Sequence, residues 1–424
     1  MKLLKKTHTA GLMAGALVLT GCGGGGGGGD TLDISAHPSY TFDSPNSAVG
    51  AYLEESVESF EEERDADIEL TAYSSDIQDA MARILTQASQ GRAPDVAQID
   101  AHLLPRYYEH LQPLDPYLEE HGIALDDYFP FAQEIMETPE GEIKGMQFTT
   151  DVRVMFYRKD LVPTPPKTWD ETLEVGRQLT DDGHTAFMYP GGRGEGTIVA
   201  TVLPMFWGQG GELVDEEGNP VFGEGANREA MLNVLTFLQE TVDSGITPQR
   251  VSSYGSEDDL NSEVASGNVA MFLGGNWQLA QIKELLSEED AANWAVATIP
   301  HREGAEIATT AGGWAWGVFA EEEETQQTAV DFLAETFVTD EGMASWTGAH
   351  GSLPVRETVY ELPDYESDEF SETFQQHLSE YARSRPSADS YQQISTELQV
   401  AVSSVVSGSK SPEQALDDAW SAVQ

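Results

Sequence analysis

The chain has 424 residues, of which 40% are hydrophobic, so it is long enough for two folded domains and too apolar for a disordered protein. Its 73 acidic and 22 basic side chains give a formal net charge of −51. A field of that sign repels nucleic acids and anionic lipid headgroups, so neither is an expected partner.

The first residues are typical of a secretory leader. Lys2, Lys5 and Lys6 precede the apolar run 10–19, which predicts a signal peptide over residues 1–21. The run ends Leu-Thr-Gly-Cys at Cys22 and resembles the lipobox of secreted lipoproteins, which implies a diacylglycerol on that cysteine. Cys22 is the only cysteine, and residues 23–29 are all glycine, so 22–29 read as a lipidated tether. The alternative is a plain signal peptide with an incidental cysteine.

The mature chain begins with alternating strands and helices. Periodicity predicts strands at 31–36, 66–73 and 95–99 and helices at 48–63 and 77–89. This alternation is typical of an open α/β sheet. Residues 145–157 read as paired strands. A capping box at Thr168 and Glu171 predicts the start of another helix. Further helices are predicted at 228–244 and 321–336, and the last helix follows Ser411.

The surface chemistry indicates concentrated brine. After the leader only five lysines remain, at Lys144, Lys159, Lys167, Lys283 and Lys410. At about 1 M salt the Debye length falls to about 3 Å, so the repulsion among the carboxylates is screened. We therefore expect a halophilic protein; an ordinary acidic secreted protein is the alternative.

Several ordered motifs carry a family resemblance. Residues 91–96 match G-x-x-P-D-V, 150–161 match T-D-x-x-x-x-x-Y-x-K-D-L, and 165–171 match P-P-K-T-W-x-E. Residues 267–277 match G-x-x-A-M-x-x-x-G-x-W, 312–317 match G-G-W-x-x-G, and Arg385-Pro386 precedes the C-terminal G-x-x-x-P-E-x-A-L at 408–416. In this order they resemble the family 1 extracellular solute-binding proteins of ABC transporters, which include maltose- and trehalose-binding proteins.

The resemblance implies an α/β, two-lobed periplasmic-binding-protein fold of type II character, with ligand in the interlobe cleft. Three crossings join the lobes, near 147–152, 309–318 and 346–355. Lobe one is then 30–148 plus 316–346, and lobe two is 149–315 plus 347–424.

Candidate binding residues follow from the resemblance and from position. Asp100 ends a predicted strand, where open α/β sheets bind ligands, although it could instead cap the next helix. Asp151 lies in the first crossing and Gly313 in the second, and either could be a hinge residue. Trp277 follows two glycines at a strand end and is expected to face the cleft with its Nε1–H free.

Four more residues complete this expected sugar site. Trp314 and Trp316 alternate along a strand, so Trp314 is assigned to the cleft and Trp316 to packing. Arg385 offers a planar fork for vicinal hydroxyls, or a surface ion pair. Tyr40 is a loop aromatic after the first strand. Glu195 lies in a glycine-rich turn, where Gly194 replaces the family's usual aromatic residue.

Other functions have weaker support. The glycine-rich turn has no following lysine and is not a P-loop, and the scattered histidines show no metal-ligand spacing, so no cofactor or metal is expected. A glycoside hydrolase needs only two carboxylates, and a binding protein for a non-sugar solute would use similar residues. We expect a monomeric, extracytoplasmic, lipid-anchored sugar-binding protein that serves ABC permease subunits, without enzymatic activity.

Overall fold

The computed structural model describes residues 31–64, 66–363, 365, 367 and 370–424, which form two α/β lobes around two separate sheets. The predicted signal peptide, the lipidation site Cys22 and the glycine tether lie outside the described residues. Among the residues described, no helix is both long and apolar enough to cross a membrane.

The first lobe begins with the predicted alternation of strands and helices. Asn46 and Asp76 accept backbone N–H bonds as helix caps, which fixes where its first two helices start. The elements before the first passage between lobes are β1 (Thr31–Ala36), α1 (Ser47–Glu63), β2 (Asp67–Ala72), α2 (Ile77–Ala88), β3 (Val96–Asp100), α3 (Asp115–Glu120), α4 (Pro130–Met136) and β4 (Met146–Thr149).

The second lobe follows, and its predicted capping box is confirmed. Thr168 accepts the Glu171 N–H, and the Glu171 carboxylate reaches back to the cap backbone. Its elements are β5 (Arg153–Arg158), α5 (Trp169–Asp181), β6 (Thr185–Met188), α6 (Leu203–Trp207), α7 (Gly225–Asp243), α8 (Asn261–Ala265), β7 (Val269–Gly275), α9 (Gln278–Leu285), α10 (Glu288–Ala291), β8 (Trp294–Ala297) and β9 (Thr309–Thr310). A π-helical turn, Thr197–Val202, precedes α6.

The chain then returns to the first lobe and finally ends in the second. The returning elements are β10 (Trp314–Val318), α11 (Glu323–Leu333) and α12 (Asp340–His350), with a π-helical turn at Ala334–Val338. The last elements are α13 (Ser371–Glu380), β11 (Ala382–Arg383), α14 (Tyr391–Val406) and α15 (Pro412–Val423), and α14 and α15 pack with α7.

Two buried sheets organise the lobes. The first has the strand order β2-β1-β3-β10-β4, in which β1 runs parallel to β2 and β3, and β10 runs antiparallel to β3 and β4. The second has the order β6-β7-β5-β8, with β5 antiparallel to both neighbours. Every residue of β3 and of β7 is buried, so both sheets are covered on both faces.

The expectation of paired strands at 145–157 is wrong. Strand β4 belongs to the first sheet and β5 to the second, and Thr150, Asp151 and Val152 between them form the first passage. Thr150 bridges to Leu353 and Val152 bridges to Ala311, so the passages run side by side. Two apolar strands joined by a short polar segment have the same pattern whether they form a hairpin or cross between sheets.

The lobe bounds drawn from the sequence shift in two places. The whole of β10, from Trp314, lies in the first sheet, so lobe one resumes before residue 316. Residues 353–361 also pack on lobe one: Phe129 N donates to Val355 O at 3.2 Å, and Arg356 Nε donates to Asp127 at 2.7 Å. The predicted start of the last part of lobe two at residue 347 is therefore too early.

Candidate ligand-binding site

The carboxyl end of β3 brings Asp100 to the cleft. Asp100 stands at the N-cap position of the following 3₁₀ helix, yet its side chain makes no cap bond. Its Oδ1 instead lies 2.9 Å from His102 Nδ1, and Arg385 Nη2 donates to Oδ1 at 3.0 Å and to Oδ2 at 3.2 Å. Since Arg385 follows β11 in the second lobe, this ion pair spans the cleft.

Charge pairing outweighs burial at Asp100. Burial alone would favour the protonated acid, but the Arg385 guanidinium and His102 hold the pKa of Asp100 well below its usual range. Burial, assisted by Arg385, lowers the pKa of His102, so this ring is neutral and donates its Nδ1–H to the carboxylate. Asp100 therefore presents a fixed negative charge.

Glu195 joins the same ion pair from the second lobe. Arg385 Nη1 donates to Glu195 Oε1 at 3.4 Å, and the Tyr391 hydroxyl donates to the same oxygen. Ser395 Oγ donates to Oε2 at 2.5 Å. Tyr391 and Ser395 lie one turn apart on α14, so one face of that helix holds the carboxylate in place. We call Asp100, His102, Glu195, Arg385, Tyr391 and Ser395 the Arg385 cluster.

The glycine-rich turn that carries Glu195 is a close backbone contact. A Cβ on Gly194 would lie 2.4 Å from Gly255 O, and one on Gly192 would lie 2.8 Å from the Tyr254 backbone. A Cβ on Gly196 would meet Glu257 Oε2 at 2.5 Å. The two loops leave no room for side chains at these positions, so an aromatic residue of the kind common in the family at position 194 would not fit here.

A second group of charges surrounds Arg153, which follows the first passage. Arg153 Nη1 donates to Asp151 Oδ1, and Arg153 Nε donates to Glu257 Oε1 at 3.1 Å. Its guanidinium carbon lies 5.0 Å from the ring centroid of Trp277. We call Asp151, Arg153, Glu257, Asp258 and Trp277 the Arg153 cluster.

Trp277 is half-buried at the end of β7, but its ring nitrogen is not free. Nε1 donates to Asp258 Oδ1 at 3.1 Å, so the expectation of a spare donor is wrong. Asp258 lies 19 residues earlier, in a 3₁₀ turn (Glu257–Leu260) held by its own capping box, and no local pattern links it to Trp277. The indole therefore offers a ligand its ring face.

The first lobe contributes an aromatic wall. Tyr40 is buried, with ring centroids 5.7 Å from half-buried Trp314 and 4.5 Å from His350. Burial and the nearby Asp151 and Asp100 carboxylates raise the pKa of Tyr40, so its hydroxyl stays protonated. Trp316 is fully buried and stacks on Phe148 at 4.9 Å, as the alternation along β10 predicts.

Gly313 is placed in the passage between lobes and is held by its backbone. Its φ of 119° and a Cβ position only 2.0 Å from Thr149 O require glycine. Its carbonyl accepts from Ala101 N at 3.1 Å. The structure thus groups Asp100 with Glu195 and Arg385, Asp151 with Trp277 through Arg153, and Tyr40 with Trp314, while Gly313 lies in the passage between the lobes.

A cavity of about 520 Å³ adjoins both clusters on the second-lobe side, lined by Arg153, Arg193, Glu195, Ser256, Glu257 and Arg385 among others. A larger cavity of about 720 Å³ lies in the first lobe outside the cleft. There the buried Arg356 is already bound by Asp127, Asp340 and the Val338 carbonyl, so these groups stabilise the fold.

Sequence reasoning assigned no role to His102, Arg153, Glu257, Asp258, Tyr391 or Ser395. Two of them lie close in sequence to a predicted site residue. Arg153 lies two residues after Asp151 in an extended segment, where such residues share a face, and His102 lies two residues after Asp100 at the start of the 3₁₀ helix. The others come from distant loops and from α14, which only the tertiary structure brings to the cleft.

The fold and the charged cleft between its lobes define a two-lobed solute-binding protein. A family profile described as "Bacterial extracellular solute-binding protein" matches residues 55–372, and the chain belongs to that family.

Individual relatives are more distant. The chain is 26% identical over 310 residues to the probable amino-acid ABC transporter periplasmic-binding protein y4oP of Sinorhizobium fredii, covering 70% of this chain and 67% of that protein. It is 23% identical over 295 residues to the maltodextrin-binding protein MdxE of Bacillus subtilis, covering 68% and 67%. It is 23% identical over 339 residues to the sn-glycerol-3-phosphate-binding periplasmic protein UgpB of Escherichia coli, covering 73% of each.

Solved structures share the fold over nearly the whole chain. Maltose-bound MalE3 of T. maritima superposes with a TM-score of 0.74 at 21% identity, covering 93% of this chain and 99% of that one. The sugar-binding protein MalE of Xanthomonas citri gives 0.74 at 22% identity, covering 92% and 95%. The predicted two-lobed α/β fold is confirmed.

Proposed function

We propose that this chain is the substrate-binding component of an ABC importer, that it captures a neutral di- or oligosaccharide in the interlobe cleft, and that it catalyses no reaction. One observation carries the proposal: each arginine buried in the cleft is already held by two carboxylates. Arg153 contacts Asp151 and Glu257, and Arg385 contacts Asp100 and Glu195.

This charge arrangement favours an uncharged ligand. A phosphate or carboxylate would have to displace a carboxylate from its arginine. Of the three described arginines that line the cavity, the exposed Arg193 is the one outside these pairs. Sugar hydroxyls, in contrast, can donate to carboxylate lone pairs that the arginines leave open. Hydrogen bonds to charged groups contribute about 1.5–3 kcal/mol each, so a few of them orient a ligand.

The apolar faces of a sugar ring have a partner as well. The half-buried Trp277 ring has its nitrogen bound to Asp258, so C–H groups rather than hydroxyls would meet it. The names of MdxE and of the MalE structures favour maltose-like ligands, whereas those of UgpB and y4oP represent the competing ligand classes.

The cellular setting is part of the proposal. We infer that the mature protein begins at Cys22, carries a lipid there, and works as a monomer outside the cytoplasm. Residues 23–29, all glycine, would then let the lobes reach the permease subunits. The net charge of −51 supports a host that lives in brine.

Calorimetry in about 1 M KCl tests the ligand class, with maltose, trehalose, maltotriose, glycerol 3-phosphate and amino acids as a panel. We expect a neutral sugar to bind with a Kd of about 1 μM, corresponding to a binding free energy of about −8.2 kcal/mol. Trp277→Ala should weaken that binding at least tenfold, with little change in melting temperature without sugar. Asp151→Ala should weaken binding likewise, but it should also lower the melting temperature, because it leaves the buried Arg153 with Glu257 as its remaining carboxylate. Trp420→Ala, at a half-buried tryptophan on α15, is the matched control that should leave affinity unchanged.

Two outcomes would contradict the proposal. Tight binding of glycerol 3-phosphate or an amino acid, with none of any sugar, would move the protein to another ligand class. Release of hydrolysis products from the bound sugar over several days would make it an enzyme.

A further inference from the structure

Arg153 holds a central position that no sequence motif assigned. Its side chain is 11% exposed and contacts three neighbours: the carboxylates of Asp151 and Glu257 and the face of Trp277. Glu257 is itself buried, and its carboxylate lies against Gly196 in the close contact between the two loops. The carboxylates of Asp151 and Glu257 therefore fix the guanidinium in place, and the indole of Trp277 packs against a group that is already held.

The sheet register explains how the indole comes to lie on this arginine. Arg153 on β5 pairs directly with Gly275 on β7, and paired residues point to the same face of a sheet. Gly275 has no side chain, and a Cβ there would lie 2.0–2.4 Å from three atoms of the six-membered ring of Trp277. The ring thus folds back across the Arg153–Gly275 pair and fills the space that a side chain would take.

Three contacts then fix the ring: the guanidinium, the Gly275 backbone beneath its six-membered part, and Asp258 on its nitrogen. The guanidinium and Gly275 arise from one cross-strand pair and lie on the same side of the sheet. A ligand that packs on the indole would therefore meet its opposite side.

We propose that Arg153 is a positioning residue that holds the Trp277 indole in its ligand-stacking orientation before the ligand arrives. The inference rests on the proposed function and deepens it: the ligand is a pyranose whose C–H face packs on one side of the indole only. A planar guanidinium can bind two carboxylates in fixed directions and stack on a ring at the same time, whereas a lysine ammonium is a point charge with no plane to stack.

A double-mutant cycle separates positioning from direct ligand contact. The four proteins are wild type, Arg153→Lys, Trp277→Phe and the double variant, each titrated with the sugar found in the panel. We expect Arg153→Lys to weaken binding at least tenfold in the wild-type background. In the Trp277→Phe background the same change should cause a fold-loss in affinity that is at least three times smaller. Equal losses in both backgrounds would show that Arg153 acts independently of Trp277 and would overturn the proposal.

The matched control is Arg158→Lys. Arg158 lies on the same strand and pairs with Asp160 and the Gly267 carbonyl, at the end of β5 away from the cleft. This variant should bind sugar as the wild type does. Should Arg153→Lys fail to fold, Arg153→Gln, which also loses the paired fork, takes its place with the same expected result.

A measurement without ligand tests the proposal independently of the sugar. The near-ultraviolet circular dichroism of Trp277 is obtained as wild type minus Trp277→Phe, which removes the signal of the other seven of the eight tryptophans. We expect a strong difference spectrum that disappears in the Arg153→Lys background. An unchanged difference spectrum would refute positioning by Arg153, whereas the lack of binding to every sugar would refute only the proposed function.

Discussion

Arg385 of the second lobe donates from a single nitrogen, Nη2, to both carboxylate oxygens of Asp100 in the first lobe. The same edge of the cleft carries two more contacts between lobes, from Arg106 to Asp389 at 2.7 Å and from Gln78 to Gln392 at 3.1 Å. The segment that leads into α14 therefore ties the lobes together on one side of the cleft.

The two ion pairs at this edge should differ in their contribution to stability. Asp100→Asn leaves the buried Arg385 with Glu195 as its remaining charged partner, and we expect the free energy of unfolding to fall by about 3 kcal/mol. Asp389→Asn is the control, because the Asp389 side chain is 88% exposed and such pairs contribute about 0–1 kcal/mol. Urea denaturation at constant salt measures both, and equal losses would contradict the assignment.

A methyl group at Gly275 should remove the stacking surface. The added Cβ would lie 2.0 Å from an atom of the Trp277 ring, so the indole must move. We expect Gly275→Ala to weaken sugar binding about as much as Trp277→Ala, at least tenfold or about 1.4 kcal/mol. Gly348→Ala on α12 has no atom within 4 Å of its new carbon and should leave sugar affinity unchanged. Full affinity in Gly275→Ala would refute the ring position.

His350 should make stability depend on pH in the acid range. Its ring stacks on Trp346 at 5.2 Å, and its buried Nδ1 has no hydrogen-bond partner. Burial, with a contribution from His37, lowers its pKa from 6.5 to about 4, so the folded protein keeps the ring neutral. Between these two values the unfolded chain binds a proton that the folded chain does not, so stability rises with pH.

The effect is measurable by difference. Above about pH 6.5 the neutral His350 costs the folded state no free energy. As the pH falls toward 4, the free energy of unfolding decreases by up to about 3 kcal/mol on account of this residue. His350→Gln should therefore lose less unfolding free energy than the wild type over this window. His377→Gln serves as the comparison, because burial also lowers the pKa of His377 to about 4 and the two losses should add. Parallel pH profiles for His350→Gln and wild type would contradict the assignment.

Salt should stabilise the fold. Raising KCl from about 0.1 M to 1 M shortens the Debye length from about 10 Å to 3 Å, which weakens the mutual repulsion behind the net charge of −51. The melting temperature should rise steeply over this range and then level off, with NaCl behaving like KCl. A flat profile would rule out adaptation to brine.

Cys22 should carry the membrane anchor. Intact mass spectrometry of the protein from its native membrane should show a lipid-modified N-terminus at residue 22, and Cys22→Ala should release the protein from the membrane fraction. An unmodified N-terminus at another residue would contradict this prediction.

The alternating strands and helices of the first lobe were predictable because one-sided burial imposes a period on each element. The passage at Thr150–Val152 was not, since the partners of β4 and β5 are chosen by the two sheets and not by the segment that joins them. A hydrophobic pattern predicts that a strand is buried, but it does not predict which strand it pairs with.

The site divides in the same way. Asp100, Glu195 and Arg385 could be named from motifs, yet their mutual pairing depends on the approach of α14 to the ends of the strands. Trp277 could be placed at a strand end, but Asp258 as its partner could not, because the contact joins two separate turns. Residue types predicted hydrogen-bonding capacity, and only the tertiary structure shows which groups use it.

The contact between the two glycine-bearing loops limits how this protein could be redesigned. With 2.4 Å between a Cβ at Gly194 and Gly255 O, randomising the turn around Glu195 would mostly yield unfolded clones. Libraries aimed at a new cargo should instead vary the half-buried Trp314 on the first-lobe side and keep the buried Tyr40 unchanged. Substitutions in the first lobe could then change the ligand selectivity while the second lobe keeps its sequence and structure.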